Sequence, residues 1–276
     1  MMLDGFKNLG DFCDDDFEDL WEAGETHEKF DSERYQNKEF IACGAQKNVF
    51  KVYDSKMTRD IALAELREEV PEEKYESFFA EASLTSSLRH PNIVTVYDFG
   101  FNEVHVPYFT MELKVGQTLC EVIDKQEKTG EELLEIFIKV CDAIAYAHSQ
   151  GIAHLDLKPD NIQVGEFGEV QVCDWGLSGN IAKLIVGEEI KGTPGFMAPE
   201  QLLTGQQLDQ RTDVYALGAI LYSILTNEAP VKGGLKTVIS LTLFNKVITP
   251  SQRCPDKNIP ASLDAVVNKA MAGKRE

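Results

Sequence analysis

The sequence lacks any apolar run of about 18 residues, the length that a membrane-spanning helix needs. Its N-terminus carries acidic residues where a secretory signal would place a basic region followed by an apolar one. Its six cysteines include no C-x-x-C pair and no His/Cys spacing typical of zinc sites. We therefore expect a soluble domain of the cytoplasm with reduced thiols, no disulfide and no structural metal.

Positive charge is scarce as well, because 27 Lys and Arg stand against 46 Asp and Glu, for a net charge of −19. Such a surface argues against nonspecific binding to nucleic acid or to anionic lipid. Within residues 1–33, twelve acidic residues face only Lys7 and Lys29. We interpret residues 1–34 as an acidic N-terminal extension, which is either a solvated tail or a segment that docks onto the domain or a partner.

The chain holds 276 residues, 43% of them apolar, which is enough for a sizeable core. Alternating apolar residues and turn signals predict strands on either side of Gly44 and at three later places, with one helix from Pro71 to Leu88. The three later strands are predicted at Ile61–Leu66, Ile93–Phe99 and Tyr108–Leu113. Residues 35–113 are therefore predicted to form a small lobe with a five-stranded sheet and one helix.

The pattern becomes helical beyond Gly116. Apolar residues at helical spacing predict helices at Leu119–Glu127, Glu131–Ser149 and Asp213–Leu225, and the third is apolar nearly all round, as a buried central helix should be. Short strands are predicted at Ile162–Val164 and Val170–Cys173. The predicted fold class is α+β, with a larger helical lobe at residues 114–276.

The stretch H-L-D-L-K-P-D-N, His154 to Asn161, combines a carboxylate, a lysine and an amide at close spacing. Asp156 could accept a hydroxyl proton, while Lys158 and Asn161 supply a positive charge and an amide oxygen. Phosphoryl transfer needs this kind of positioning and counter-charge more than covalent help. The plainer alternative is a polar loop after a helix, so the interpretation depends on partner motifs elsewhere in the chain.

Those partner motifs follow in order: D-W-G at Asp174, G-T-P-G-F-M-A-P-E from Gly192, and D-V-Y-A-L-G at Asp213. From Tyr35 to its end, just before the last helix of the family, the chain resembles the eukaryotic-like (Hanks-type) serine/threonine protein kinases of bacteria. The resemblance implies a bilobal protein kinase fold with ATP and Mg²⁺ as cofactors. It also implies a protein substrate with a Ser or Thr acceptor.

The resemblance assigns roles to particular residues. Asp156 would orient and deprotonate the substrate hydroxyl, and Asn161 and Asp174 would hold magnesium. Lys158 would contact the γ-phosphate and the threonine of the G-T-P segment, Thr193. The aspartate of D-V-Y-A-L-G, Asp213, would hold the catalytic loop by its backbone.

Nine further positions are assigned to the nucleotide. Met111 takes the gatekeeper position, although a methionine there also fits plain core packing. Glu112 and Lys114 would present their backbone to the adenine edge. The full set is Ala42, Gly44, Val49, Ala62, Ala64, Glu81, Met111, Glu112 and Lys114.

The most severe departure from the family is at Ala64, where I-A-L-A-E-L stands in place of V-A-I-K. The family lysine at this position grips the α- and β-phosphates, so Glu81 is expected to lack its partner. Losing one preorganised contact of this kind costs about 3 kcal/mol of transition-state stabilisation, so phosphate transfer should be very weak. Two origins fit: a Lys→Ala substitution introduced into an active enzyme, which the intact catalytic motifs favour, or a natural pseudokinase acting as a regulatory or scaffolding module.

The glycine-rich loop is also eroded, because its G-x-G-x-x-G frame falls on Ala42, Gly44 and Lys47. This erosion favours the pseudokinase. Lys47 could offer a compensating charge, but we expect a solvated lysine.

A third departure concerns regulation, because Leu155 replaces the arginine that binds the activation-loop phosphate in many kinases. Residues 179–192 contain no Ser, Thr or Tyr. Both halves of that electrostatic switch are therefore missing, and we expect control through the acidic extension, a partner or dimerisation.

Overall fold

Alternating apolar residues in the first part of the chain form one antiparallel sheet of five strands, in the order β1-β2-β3-β5-β4. The strands are β1 (Tyr35–Cys43), β2 (Lys47–Asp54), β3 (Arg59–Leu66), β4 (Val96–Phe101) and β5 (Pro107–Met111). Helix α1 (Tyr75–Ser87) packs on one face, where Phe78 and Ala82 join Ala64 and Phe109 in a buried cluster. The predicted five-stranded sheet with one helix is confirmed.

Two elements in this region begin several residues later than predicted, for local reasons. Pro71 precedes a 3₁₀ turn at Glu72–Lys74, so the α-helix begins only at Tyr75. Strand β4 begins at Val96 instead of Ile93, because Val94 donates its backbone N–H to the carbonyl of Val172 at 3.1 Å.

The second part of the chain is mainly helical. Its helices are α2 (Leu119–Lys125), α3 (Gly130–Ser149), α4 (Gln210–Thr226), α5 (Leu235–Leu243), α6 (Pro250–Arg253) and α7 (Ala261–Ala270). The predicted central helix is confirmed as α4, whose inward residues include Ala219 and Tyr222, both at 0% exposure. A Cβ at Gly218 would lie 2.8 Å from the side chain of Ala270, so the glycine allows α4 and α7 to pack closely.

Short strands in this part flank the loops that carry the H-L-D-L-K-P-D-N and D-W-G motifs. They are β6 (Gln117–Thr118), β7 (Ile152–Ala153), β8 (Ile162–Val164), β9 (Val170–Val172) and β10 (Gly179–Asn180). β6, β8 and β9 form one sheet, and β7 pairs with β10 in another. The H-L-D-L-K-P-D-N stretch therefore connects β7 to β8.

This computed structural model describes residues 33–44, 46–187 and 191–273. They divide into two compact units, one ending at Ser87 and taking in 95–113, the other made of 88–94 and the chain from 114 onward. The α+β fold class is confirmed, with strands dominating the first unit and helices the second. No helix within the described ranges is long and apolar enough to span a bilayer. The interpretation of the acidic extension lies outside the described residues, apart from Glu33 and Arg34.

Candidate active site

The backbone of the H-L-D-L-K-P-D-N loop is fixed by a buried carboxylate from α4. Asp213 is 1% exposed and accepts the backbone N–H groups of His154 and Leu155, each at 2.8 Å. Leu155 has a φ of 66°, a left-handed conformation that a leucine rarely adopts. Its carbonyl accepts a bond from the side chain of Gln201 at 2.9 Å. The expected role of Asp213 as the anchor of this loop is confirmed.

The carboxylate of Asp156 lies at the centre of a small polar network. Its Oδ2 accepts a bond from Lys158 Nζ at 2.9 Å, and its Oδ1 accepts one from the hydroxyl of Thr193 at 2.8 Å. Lys158 Nζ also donates to Thr193 Oγ1 at 2.7 Å, so the expected contact of Lys158 with the G-T-P segment is present. The network gives Asp156 a fixed orientation beside a positive charge.

Asn161 completes this network from the 3₁₀ turn Pro159–Asn161. Its amide nitrogen donates to the backbone carbonyl of Asp156 at 2.8 Å, which turns the amide oxygen toward other ligands. Asp174 follows β9 and has a φ of 62°. Carboxylate and amide oxygens are the donors that Mg²⁺ prefers, so the chemistry of Asn161 and Asp174 fits this ion.

The D-W-G segment packs against the catalytic loop through rings. The rings of His154 and Trp175 have centroids 4.6 Å apart, and both side chains are almost fully buried. His154 Nε2 lies 3.2 Å from the carbonyl oxygen of Cys173, beside Asp174. Burial lowers the pKa of His154 below its ordinary value, although the nearby Asp213 opposes the shift. The neutral histidine therefore serves as a packed spacer between the two motifs.

The nucleotide-assigned residues of the first unit lie on neighbouring strands. Ala42 of β1 pairs with Val49 of β2, and Val49 pairs with Ala64 of β3. Ala62 pairs with Met111 at the end of β5. The structure thus brings these five residues into two adjacent rows of the sheet.

Three of the remaining nucleotide assignments, Gly44, Glu112 and Lys114, lie near the ends of elements. The backbone N–H of Gly44 closes the β1–β2 turn by donating to the carbonyl of Lys47 at 2.7 Å. The backbone N–H of Glu112 donates to the carbonyl of Thr95 at 2.9 Å. Lys114 is half-buried and opens the helical unit.

Two expectations about the first unit are wrong. Glu81 of α1 does not lack a lysine, because its carboxylate forms an ion pair with Lys47. Lys47 is not a solvated lysine, since its side chain is 19% exposed and that of Glu81 is 11% exposed. The reason is the strand register, which turns residue 47 toward the sheet face that α1 covers. The place of Lys47 in the glycine frame indicates a cation in this loop, but its pairing with Glu81 depends on the tertiary fold.

The segment without phosphorylatable residues is held by apolar contacts. Leu155 lies in a buried cluster with Val186 and Leu208, and Leu184 packs against that cluster. Backbone bonds support it, from Leu208 to the carbonyl of Leu184 at 3.0 Å and from Val186 to that of Gln206 at 2.9 Å. Where many kinases place an arginine and a phosphate, this chain places Leu155 in an apolar cluster.

Comparison of the sequence with known proteins places the chain in a family. The family model described as the protein kinase domain matches residues 35–271. The chain belongs to the protein kinase domain family. It therefore has the bilobal α+β protein kinase fold, with a β-rich small lobe and a helical larger lobe.

The similar kinases are bacterial and of the Hanks type. The chain is 34% identical over 281 residues to the serine/threonine-protein kinase PknD of Protochlamydia amoebophila, covering 87% of this chain and 28% of that protein. It is 35% identical over 274 residues to PknD of Chlamydia pneumoniae, covering 87% and 29%. The chain thus spans less than a third of the length of these relatives.

Proposed function

We propose that this kinase domain transfers the γ-phosphate of ATP to Ser or Thr hydroxyls of a protein substrate. The observation that carries the proposal is the Asp156 carboxylate, oriented by Lys158, Thr193 and Asn161 on a loop that Asp213 anchors. A general base must be held within reach of the proton that it accepts. The similarity to bacterial PknD kinases supports the same reaction class.

In the proposed reaction, Asp156 accepts the proton of the substrate hydroxyl as its oxygen attacks phosphorus. The bond from phosphorus to the leaving ADP oxygen breaks, and the proton leaves Asp156 afterwards. Lys158 lies 2.9 Å from Asp156, so its ammonium can offset charge on the transferred group. Bound through Asn161 and Asp174, Mg²⁺ would supply further counter-charge to the phosphates.

The proposed preference for Ser and Thr depends on the pairing of Lys158 with Thr193. Tyrosine kinases usually differ at both places, whereas here the two side chains bond at 2.7 Å. Because ATP is supplied in the cytoplasm, the proposal places the domain there. Residues 1–34 are proposed to serve as a docking segment for a protein partner or for the domain itself.

The direct test is phosphate transfer to a generic protein substrate with MgATP, followed by identification of the phosphorylated amino acid. Asp156→Asn should lower the rate at least about a hundredfold. Asp160→Asn is the matched control, because Asp160 is an exposed acid of the same segment. Equal activity of the Asp156 and Asp160 variants would refute the proposal, and phosphotyrosine as the main product would refute the acceptor class.

The alternative is a pseudokinase that binds partners without catalysis. It is favoured by Ala64 and by a glycine frame in which only Gly44 survives. This alternative predicts no transfer by the unaltered chain and none after Ala64→Lys. The impairment expected from Ala64, about 3 kcal/mol, applies if no other cation serves the phosphates.

A further inference from the structure

Lys47 lies on the strand next to the one from which the expected lysine is missing. It opens β2, and two residues further along Val49 pairs with Ala64 of β3. Alternate residues of a strand point to the same face, so Lys47 shares the face of Ala64. Its ammonium lies 5.6 Å from the ring centre of Phe109, and Phe109 is the β5 partner of Ala64. A neighbouring strand thus brings a positive charge to the part of the sheet where position 64 lacks one.

The Lys47 ammonium is held in place. Phe78 and Ala82 of α1 cover this face of the sheet with apolar side chains, and an ammonium leaves water for such a place only when it is paired. The Glu81 carboxylate pairs with it, and the face of the Phe109 ring adds a favourable cation–π contact. A charge fixed in this way needs no rearrangement when new negative charge develops nearby, which is the property that electrostatic catalysis requires.

The position of Lys47 in the sequence points the same way. It occupies the third position of the glycine-rich frame, the loop that covers the phosphates in protein kinases. In this chain the loop carries a cation where it would otherwise carry a glycine. Loss of the β3 lysine and gain of a β2 lysine are therefore complementary changes.

We propose that Lys47 binds the phosphates of ATP in this chain and that Glu81 positions its ammonium. The inference rests on the proposed function only in taking ATP as the substrate. Ala64 is then the residue that suits this arrangement. It is 0% exposed, and a lysine there would bring a second ammonium to the carboxylate of Glu81.

The test relocates the charge between the two strands. Lys47→Met should lower kcat/KM for ATP by about a hundredfold, and Ala64→Lys alone should give no gain. The double variant with Lys47→Met and Ala64→Lys should recover at least about tenfold over Lys47→Met, because Glu81 again has one lysine to position. Lys51→Met is the matched control: it changes a lysine of the same strand that pairs with the partly exposed Asp60, and activity should stay within about twofold.

A second measurement separates positioning by Glu81 from a merely structural role. Glu81→Gln should lower kcat/KM in the unaltered chain and have little further effect in the Lys47→Met background, as expected for two residues that act through one contact. Equal effects in both backgrounds would overturn the role of Glu81. Far-ultraviolet circular dichroism and urea unfolding of each variant show whether it is folded under assay conditions.

Nucleotide binding can be measured whether or not the protein transfers phosphate. MgATP should raise the melting temperature of the unaltered chain and of Lys51→Met but not that of Lys47→Met. If binding depends on Lys47 while no variant transfers phosphate, the proposed function fails and this inference stands. If transfer and binding survive Lys47→Met, or Ala64→Lys alone raises activity tenfold or more, this inference fails and the kinase proposal stands. Absence of both transfer and nucleotide stabilisation in the unaltered chain would overturn both.

Discussion

Replacing Asp213 tests how strongly one buried carboxylate holds the catalytic loop. Its two oxygens accept three bonds of 2.8 Å, from the backbone of His154 and Leu155 and from the ring of His148. In Asp213→Ala, two buried backbone N–H groups lose their acceptor. Each such group costs about 1 to 3 kcal/mol, so the expected loss is about 4 kcal/mol of unfolding free energy.

Asp213→Asn should fall between the unaltered chain and Asp213→Ala. The amide keeps one oxygen, which can serve the N–H of either His154 or Leu155, while its NH₂ group faces the other donor. We expect a loss of about 2 kcal/mol. Phosphate transfer should fall more than the folded fraction does, because Leu155 holds a left-handed conformation one residue before Asp156.

The assay pairs urea unfolding with transfer rates under conditions where the protein stays folded. Asp264→Asn is the matched control, because Asp264 accepts two bonds of 2.9 Å from Ser251 in the same unit but away from the catalytic loop. It should lower stability by a similar amount with little effect on the rate. The reasoning is refuted if Asp213→Asn has the same unfolding free energy as the unaltered chain. It is also refuted if Asp213→Asn and Asp264→Asn lose the same amount of activity at equal folded fraction.

Thr193→Val, which keeps the shape but removes the hydroxyl bonded to Asp156 and Lys158, should lower transfer about tenfold in steady-state kinetics, whereas Thr193→Ser should retain most of it. Leu184→Ala should speed hydrogen exchange of the Leu208 amide about tenfold, since it weakens the apolar cluster next to that bond; unchanged exchange would contradict the role of this cluster in holding the segment. Burial lowers the pKa of His154, so the unfolded chain binds a proton that the folded one does not. Unfolding free energy should therefore fall as the pH drops below 6.5, and urea unfolding at two pH values should show a smaller fall in His154→Gln.

The sequence predicted well what depends on short motifs. The anchor from Asp213 and the contact of Lys158 with Thr193 follow from patterns of a few residues whose geometry the kinase fold fixes. The elements that were predicted have the expected types, because their apolar periodicity is strong, whereas helix α5 and the two-residue strands β6, β7 and β10 were not predicted. Boundaries were less certain where a residue bonds outside its own element, as Val94 does with Val172.

The pair of Lys47 and Glu81 was beyond sequence reasoning for a physical reason. The two residues are 34 positions apart, and their contact depends on which face of the sheet residue 47 occupies. A shift of one residue in the pairing of β2 with β3 would have turned the lysine to the opposite face. Likewise, that Leu155 joins Val186 and Leu208 follows from tertiary packing over more than 30 residues.

The apolar cluster around Leu155 differs from a contact between a phosphate and an arginine in what can disrupt it. A phosphate on an activation segment is removed by a phosphatase within the life of the protein, and its pairing with arginine weakens as salt rises. Contacts of Leu155 with Val186 and Leu208 carry no charge and no removable group. Neither a phosphatase nor a change in ionic strength acts on them directly. Control of a kinase with such a segment would therefore depend on the amount of protein and on its binding partners, and not on reversible phosphorylation of the segment.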